Sequence, residues 1–491
     1  MSIHKRPALF FWTLAACTFA VFLIYSQIHA YVGDEPFHLL AAQLIRAGKR
    51  PYLDFFYQHP PLHAYLTAGL FQLSETWRIS HAFSALAVAG SAALAGVYAR
   101  DLFVEENASR TAAVLTMIFF AANCYALIFA TTGLPYGFCL LCSMAALFFS
   151  RPGGRRLHVF ASGLFAGAAA ASNLLTLPVA AVVLVRILIR NKRLVLMFIA
   201  GATVACAPVL ILFAKSPGDV IFNLVGYHLV DRPSLGWRFN VREMIAWFWS
   251  VQGATLTALA ILANWFRRGE ASWERGRLAR SLPASVANWF RRDEEVRWCT
   301  WTALALIALV ASAKTTSAFY LLLALPFLAI LAAAGTVELA RRAAIKWSTA
   351  RASKASAIRA STPVLVVVVA LYLAGLSGMR YVWRWQAPYG DYRDVEMIAR
   401  ELEACTSGSG NYYASEAVYF AVHRLPPPGL ENRFNPHSRA DELLRDGQFD
   451  AVCIGTTNPR VEEFKLLDRY ANIKTISLDG YSMYVLCDKR P

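Results

Sequence analysis

Charge is scarce in this sequence. Charged residues make up 16% of its 491 residues, where soluble globular domains carry about 25%. That shortage argues against a water-soluble chain of roughly three domains, the usual outcome at this length. Acidic residues are the scarcer sign, with 32 Asp and Glu against 48 Lys and Arg and a formal net charge of +16. Metal punctuation is sparse too. Among the nine cysteines (Cys17, Cys124, Cys139, Cys142, Cys206, Cys299, Cys405, Cys453 and Cys487), Cys139 and Cys142 have CxxC spacing, but they lie inside an apolar block and no second Cys or His pair completes a metal set, which argues against a structural zinc site.

Apolar residues are what the chain has in excess, at 57%, and they come in blocks. A membrane span needs about 20 of them, because the hydrocarbon layer is about 30 Å thick. Backbone polar groups must be paired internally there, so such blocks are helices. About eleven spans are expected, over residues 8–28, 79–99, 111–130, 133–150, 157–173, 174–190, 195–214, 244–265, 298–313, 316–337 and 361–380. Only Ser172-Asn173 and Pro178 separate the fifth from the sixth. The first block starts basic and ends on Ile28-His29-Ala30, a passable cleavage site. Its apolar stretch is long for the 7–15 residues or about that of a signal peptide, so it is read as a retained span.

The basic residues then describe topology, and no nucleic-acid partner is expected. Lys5-Arg6, Arg100, Arg110, Arg151, Arg155, Arg156, Arg186, Arg190, Lys192 and Arg193 fall on one side of the bilayer, with the arginine-rich loops 266–297 and 338–360. Cytoplasmic loops carry such an excess. The N-terminus is therefore expected in the cytoplasm, the span number odd, and the tail outside. Within loop 266–297, Ala263-Asn264-Trp265-Phe266-Arg267-Arg268 recurs as Ala287-Asn288-Trp289-Phe290-Arg291-Arg292, read as two interfacial anchors.

The expected fold is an all-α polytopic membrane bundle over residues 1–380, followed by a small extracytoplasmic α/β domain over 381–491. In that tail, Val395, Ile398, Ala399 and Leu402 share one face of a helix expected over 391–403. Strand-like runs follow at 411–414, 451–455, 473–478 and 481–487, with a stiff Leu425-Pro426-Pro427-Pro428-Gly429 loop between them. Cys405, Cys453 and Cys487 would meet an oxidising compartment. Both Cys453 and Cys487 lie on strand-like runs, and that pair is the favoured disulfide, although spacing cannot fix pairing.

The outer segment 29–78 holds the chemistry. Asp34-Glu35-Pro36 opens a helical pattern that Gly48 ends. The pattern suggests a short helix in the membrane interface that holds both carboxylates just above the hydrocarbon, facing outward. Asp54 and His59-Pro60-Pro61 follow on a stiff stretch before the second span. A carboxylate at such a mouth suits a base that takes a proton from a hydroxyl. Cations beside it suit a phosphate, and His59, Lys314, Arg232 and Arg238 are the candidates. Each has a plainer reading: Asp34 as a helix cap, His59 as a loop residue, the arginines as solvated charges, and Lys314 as a snorkelling side chain.

These residues resemble a family. Asp34-Glu35 after the first span and His59-Pro60-Pro61-Leu62 before the second are similar to the GT-C membrane glycosyltransferases. The match is nearest to the protein O-mannosyltransferase-like branch, glycosyltransferase family 39 and its bacterial relatives, including lipid A aminoarabinose transferases. Lys314, Phe319-Tyr320 and Leu325-Pro326-Phe327 resemble that branch's late element of a basic residue, a Tyr and a Leu-Pro. The resemblance implies inverting transfer of a sugar from a polyprenyl-phosphate donor, drawn from the bilayer, to an extracytoplasmic protein, lipid or glycan. It implies Asp34 at the catalytic acidic position, His59 at the His-Pro-Pro element and Lys314, loosely, at the late basic residue. The candidate site is thus Asp34 and Glu35 as catalytic, with His59, Lys314, Tyr320, Arg232, Arg238 and Asp54 binding the donor phosphate or substrate. Where relatives carry an acid before a Pro, this chain reads Thr131-Thr132-Gly133-Leu134-Pro135. No cofactor is therefore expected to be required, with a divalent metal as the alternative. A flippase for lipid-linked glycans and a non-catalytic scaffold are the competing classes.

Overall fold

The computed structural model describes residues 6–28, 32–151, 155–274, 284–348, 354–378, 392–406, 410–478 and 481–490. His29 and Ala30 of the cleavage-like site, Lys5, and the loop residues Arg275, Arg277, Arg280 and Arg351 lie outside them. Every apolar block is helical. The first lies in Arg6–Gln27, the second in Trp77–Arg100, and the last in Lys354–Ala374. The weak boundary is a true break. The Asn173 side chain accepts a hydrogen bond from the Leu175 amide and caps the 3₁₀ turn Leu174–Thr176, and Pro178 sits in the first turn of Leu177–Asn191. Block 244–265 is two helices, Trp237–Trp249 and Val251–Glu274, which meet at a 75° bend.

The protein is a multi-pass membrane bundle. Among the described residues, five helical stretches are long and apolar enough to cross a bilayer, or six with the bent pair. That is fewer than the eleven blocks. Leu174–Lys215 runs as one stretch of 42 residues, and Tyr136–Phe149 and Thr362–Gly378 are shorter than a full span. Small residues let the helices close up. A Cβ on Gly163 would lie 1.9 Å from the Phe198 carbonyl oxygen, so Arg156–Ala170 and Val195–Lys215 touch backbone to backbone there. At one end of the bundle the basic loops converge. Arg151 reaches Asp101 at 2.8 Å, Arg190 reaches Glu294 at 2.8 Å, and buried Arg186 pairs with Glu295, which also accepts the Tyr98 hydroxyl.

The tail carries a helix, Tyr392–Thr406, and four strands: β1 (Tyr412–Tyr413), β2 (Ala451–Gly455), β3 (Tyr470–Leu478) and β4 (Tyr481–Lys489). Their order is β1-β2-β4-β3, with β1 parallel to β2 and the other pairs antiparallel. The disulfide is Cys405–Cys487, with Cα atoms 5.6 Å apart, and Cys453 is free and buried. This corrects the pairing favoured from sequence. Cys453 stands opposite Val485 in the ladder, so Cys487 is its diagonal neighbour. Such diagonals span about 7–8 Å, too far for a disulfide. The helix delivers Cys405 instead.

The outer segment is also corrected. Helix Glu35–Arg46 is buried from Glu35 to Leu44, so it does not lie open in the interface. Phe37, Leu40 and Leu44 share one hydrophobic core with Val395, Ile398, Leu402 and Phe420 of the tail. Each such side chain, once fully covered, contributes about 1.5–3 kcal/mol, which is enough to hold the tail on the outer segment.

Candidate active site

Asp34 occupies the cap position of Glu35–Arg46, with Pro36 in the first turn and Gly48 (φ +85°) closing the end. Consecutive residues at a helix start do not share a face. The two carboxylates therefore diverge. Asp34 is 38% exposed and accepts a hydrogen bond from the Arg433 guanidinium at 3.2 Å. Glu35 is fully buried. The outward-facing pair expected from sequence is thus one outward acid and one inward acid.

Glu35 is held from every side. The Gly133 amide donates to its Oε1 at 2.8 Å, the Tyr392 hydroxyl to its Oε2 at 3.2 Å, and His81 Nε2 lies against Oε1. His81 Nδ1 donates to the Ser26 carbonyl at 2.7 Å, so that nitrogen carries a proton. The Tyr392 hydroxyl also lies 2.8 Å from His81 Nε2, and the unit is a buried cluster tying the first two spans to the tail. Gly133 belongs to the segment Thr131-Thr132-Gly133-Leu134-Pro135. A Cβ there would stand 2.8 Å from the Leu39 side chain and 3.0 Å from Glu35 Oε1, so a larger residue would have to displace those side chains. Trp77 stacks on Tyr392 at 3.8 Å and closes the unit.

A cavity of about 340 Å³ has mostly apolar walls; Asp34 does not line it, but its charge acts on the lining residue Arg232. It brings together four of the residues singled out from sequence: His59, Arg232, Lys314 and Tyr320. Arg232 donates to the Tyr320 hydroxyl at 3.1 Å, and Lys314 Nζ donates to the Val230 and Leu229 carbonyls at 2.9 and 3.2 Å. The chain reaches Arg232 through a wide π-helical stretch, Phe222–Asp231, which turns His228 inward to bond the Gln58 carbonyl at 2.8 Å. Burial opposes the Arg232 charge, but Tyr320, Tyr227 and Asp34 outweigh it and raise its pKa.

His59 has a different character from the cation expected. Burial, followed by the neighbouring His228, Arg232 and His63, pushes it down to about 3. It is a neutral imidazole at ordinary pH, able to bond a substrate but not to neutralise a phosphate. The cations of the cavity are Arg232 and Lys314.

Two residues do not join the site. Asp54 is turned away, and its hydrogen bonds with the Arg50 side chain, both 2.8 Å, hold its carboxyl at about 2. Arg238 follows the turn at Gly236 (φ +84°), is exposed, and lies over Trp237 at 5.7 Å. Among the described residues, no three His, Cys, Asp or Glu side chains converge as metal ligands would. Sequence reasoning missed His81, although a histidine inside an apolar helix is itself a signal. It also missed Tyr392 and Arg433, for which no local signal exists.

No family model matches the sequence, and no curated protein matches it. Solved structures do. ArnT from Cupriavidus metallidurans in the apo state superposes with a TM-score of 0.67 at 13% identity, over 98% of both chains. ArnT from the same organism bound to undecaprenyl phosphate gives 0.64 at 13% identity, over 96% of this chain and 97% of that one. The Archaeoglobus fulgidus oligosaccharyltransferase in the apo form gives 0.53 at 11% identity, over 99% of this chain and 75% of that one. The chain has the GT-C glycosyltransferase fold, tail included.

Proposed function

We propose that this protein is an inverting membrane glycosyltransferase that moves a sugar from a polyprenyl-phosphate donor to an extracytoplasmic hydroxyl. One observation carries the reading: the outward carboxylate, Asp34, lies within electrostatic reach of Arg232, which with Tyr320 and Lys314 forms the polar end of an apolar cavity. The apolar walls suit a prenyl chain and the cations suit its phosphate. One structure of the same fold, that of ArnT, holds undecaprenyl phosphate.

In the reaction, the acceptor hydroxyl gives its proton to Asp34 as its oxygen bonds the anomeric carbon from the side opposite the phosphate. The bond from that carbon to the phosphate oxygen breaks, and its electron pair leaves with the lipid phosphate. Arg232 and Lys314 offset the charge that develops there. Glu35 acts as a positioning residue, fixing the helix that presents Asp34. The convergence of Arg151, Arg186 and Arg190 at one end of the bundle supports a cytoplasmic N-terminus and an external tail, in a bacterial inner membrane. The division into a membrane part, 1–380, and a tail, 381–491, is retained as an organisation of the sequence, with the two sharing a core.

The test is lipid binding and turnover. Mass spectrometry of the purified protein should find a co-purified polyprenyl phosphate, and nanodiscs supplied with its sugar ester should consume it. Flux of lipid-linked glycan with no sugar transfer would overturn the reading in favour of a flippase.

A further inference from the structure

A second cavity, about 270 Å³, lies in the tail and is separate from the one between the helices. It opens beyond Tyr413 and Gly455, the carboxyl ends of the parallel strands β1 and β2. In open α/β sheets the crevice outside those ends is where ligands bind.

Its lining has a definite chemistry. Both guanidiniums already face carboxylates: Arg460 reaches Asp441 at 2.6 Å, and Arg433 reaches Asp34 at 3.2 Å. An anion would have to break those pairs. The other polar groups are hydroxyls, amides and one acid, including Ser415, Ser438, Asn458 and Glu416, set against apolar Leu430 and Met483. Glu416 is 5% exposed, and its Oε1 accepts the Arg433 amide at 2.7 Å. Hydroxyl, amide and carboxylate groups opposite an apolar wall match a sugar ring, which has a polar edge and a C–H face.

The position of this cavity is as informative as its lining. Two adjacent residues of its wall reach the transfer site. Asn432 donates to Gln58 Oε1 at 2.7 Å, and Gln58 lines the cavity between the helices. Arg433 bonds Asp34 itself. The Asn432–Arg433 strip is thus a partition with the donor cavity and the candidate base on one side and the polar cavity on the other.

We propose that the polar cavity of the tail binds the acceptor, recognised as a neutral polyhydroxylated group, and presents its hydroxyl to Asp34 across the Asn432–Arg433 strip. This rests on the transferase reading for its role, but not for the binding itself.

The experiment uses the full chain in nanodiscs and methyl α-glucopyranoside as a neutral probe. Saturation-transfer NMR should show the glucoside bound. Ala440→Trp, which fills the cavity, should abolish the signal, and Glu416→Gln, which keeps the shape, should weaken binding about tenfold or more. Undecaprenyl phosphate binding, measured in the same discs, should persist in both variants and so report their folding. Suppression of the signal by a glucosyl lipid in the discs would identify a membrane-borne acceptor, and suppression by soluble maltose a soluble one; both agree with the proposal. A wild-type chain that binds undecaprenyl phosphate but not the glucoside overturns the acceptor site and leaves the transferase reading standing. A signal undiminished in Ala440→Trp, or displaced by inorganic phosphate, also overturns it. Glucoside binding without any undecaprenyl phosphate binding overturns the transferase role and with it the acceptor assignment.

Discussion

The Arg433 guanidinium meets the Asp34 carboxylate at 3.2 Å across 399 residues of sequence. The pair joins the tail to the first outer helix at the candidate base. Both side chains are well exposed, at 40% and 38%, and such pairs add only about 0–1 kcal/mol to stability. Asp34→Asn should therefore leave the melting temperature nearly unchanged. It should lower the rate of transfer about 10²–10⁴-fold, the usual worth of a positioned base. Undecaprenyl phosphate affinity should be retained. Full turnover in Asp34→Asn would remove Asp34 from the chemistry.

Glu35 should respond in the opposite way. It is buried against His81, the Gly133 amide and the Tyr392 hydroxyl. Removing one partner of a buried pair costs about 3–5 kcal/mol, because the other is left uncompensated. Glu35→Ala and His81→Ala should each lower the melting temperature strongly, and the double variant should cost less than the sum. Strict additivity in that cycle would show that the two side chains are not coupled.

The two arginines of the second outer segment should separate cleanly. Arg232 lines the cavity and bonds Tyr320, while Arg238 is exposed over Trp237. A hydrogen bond to a charged group is worth about 1.5–3 kcal/mol, so Arg232→Ala should weaken undecaprenyl phosphate binding about 10–100-fold. Arg238→Ala should leave the affinity unchanged. Isothermal titration in nanodiscs distinguishes them, and equal losses would mean that Arg232 has no privileged contact with phosphate.

Acid should destabilise this region through its histidines. Burial pushes His63 down to about 4, and burial with neighbouring His228, Arg232 and His63 pushes His59 to about 3. Unfolded histidine titrates near 6.5 or about that. Above that pH both states are neutral and the stability is fully present. As the pH falls from there toward 4 or 3, the unfolded chain takes up protons that the folded chain refuses, and stability is lost. Neither ring nitrogen of His63 has a hydrogen-bond partner among the described residues. His63→Phe should therefore flatten the dependence of melting temperature on pH between about 6.5 and 4. An unchanged slope would assign the acid sensitivity elsewhere.

Some of this protein is decided by contiguous residues. A block of about 20 apolar residues has one stable answer in a bilayer, so the helices follow from the sequence alone. The same holds for Pro36 in the first turn and the stop at Gly48, which are settled within a few residues, whereas the Asp34 side chain makes no cap bond. It holds also for the strands of the tail, which lie where alternation and turn residues set them. What these local rules cannot reach is which side chains meet. Asp34 and Glu35 look like one acidic pair until packing sends the first to Arg433 and the second to His81. Arg232 and Arg238 look alike until the π-helical stretch turns one inward. Cys453 seems the natural partner of Cys487 until the sheet register places it on a diagonal. Even Arg433, which touches the candidate base, carries no local mark. The physical reason is common to all four. Spans and strands are settled by hydrogen bonds and burial over one or two turns, whereas a site drawing on residues 34, 232, 314 and 433 exists only after the helices, the outer segment and the tail have packed together.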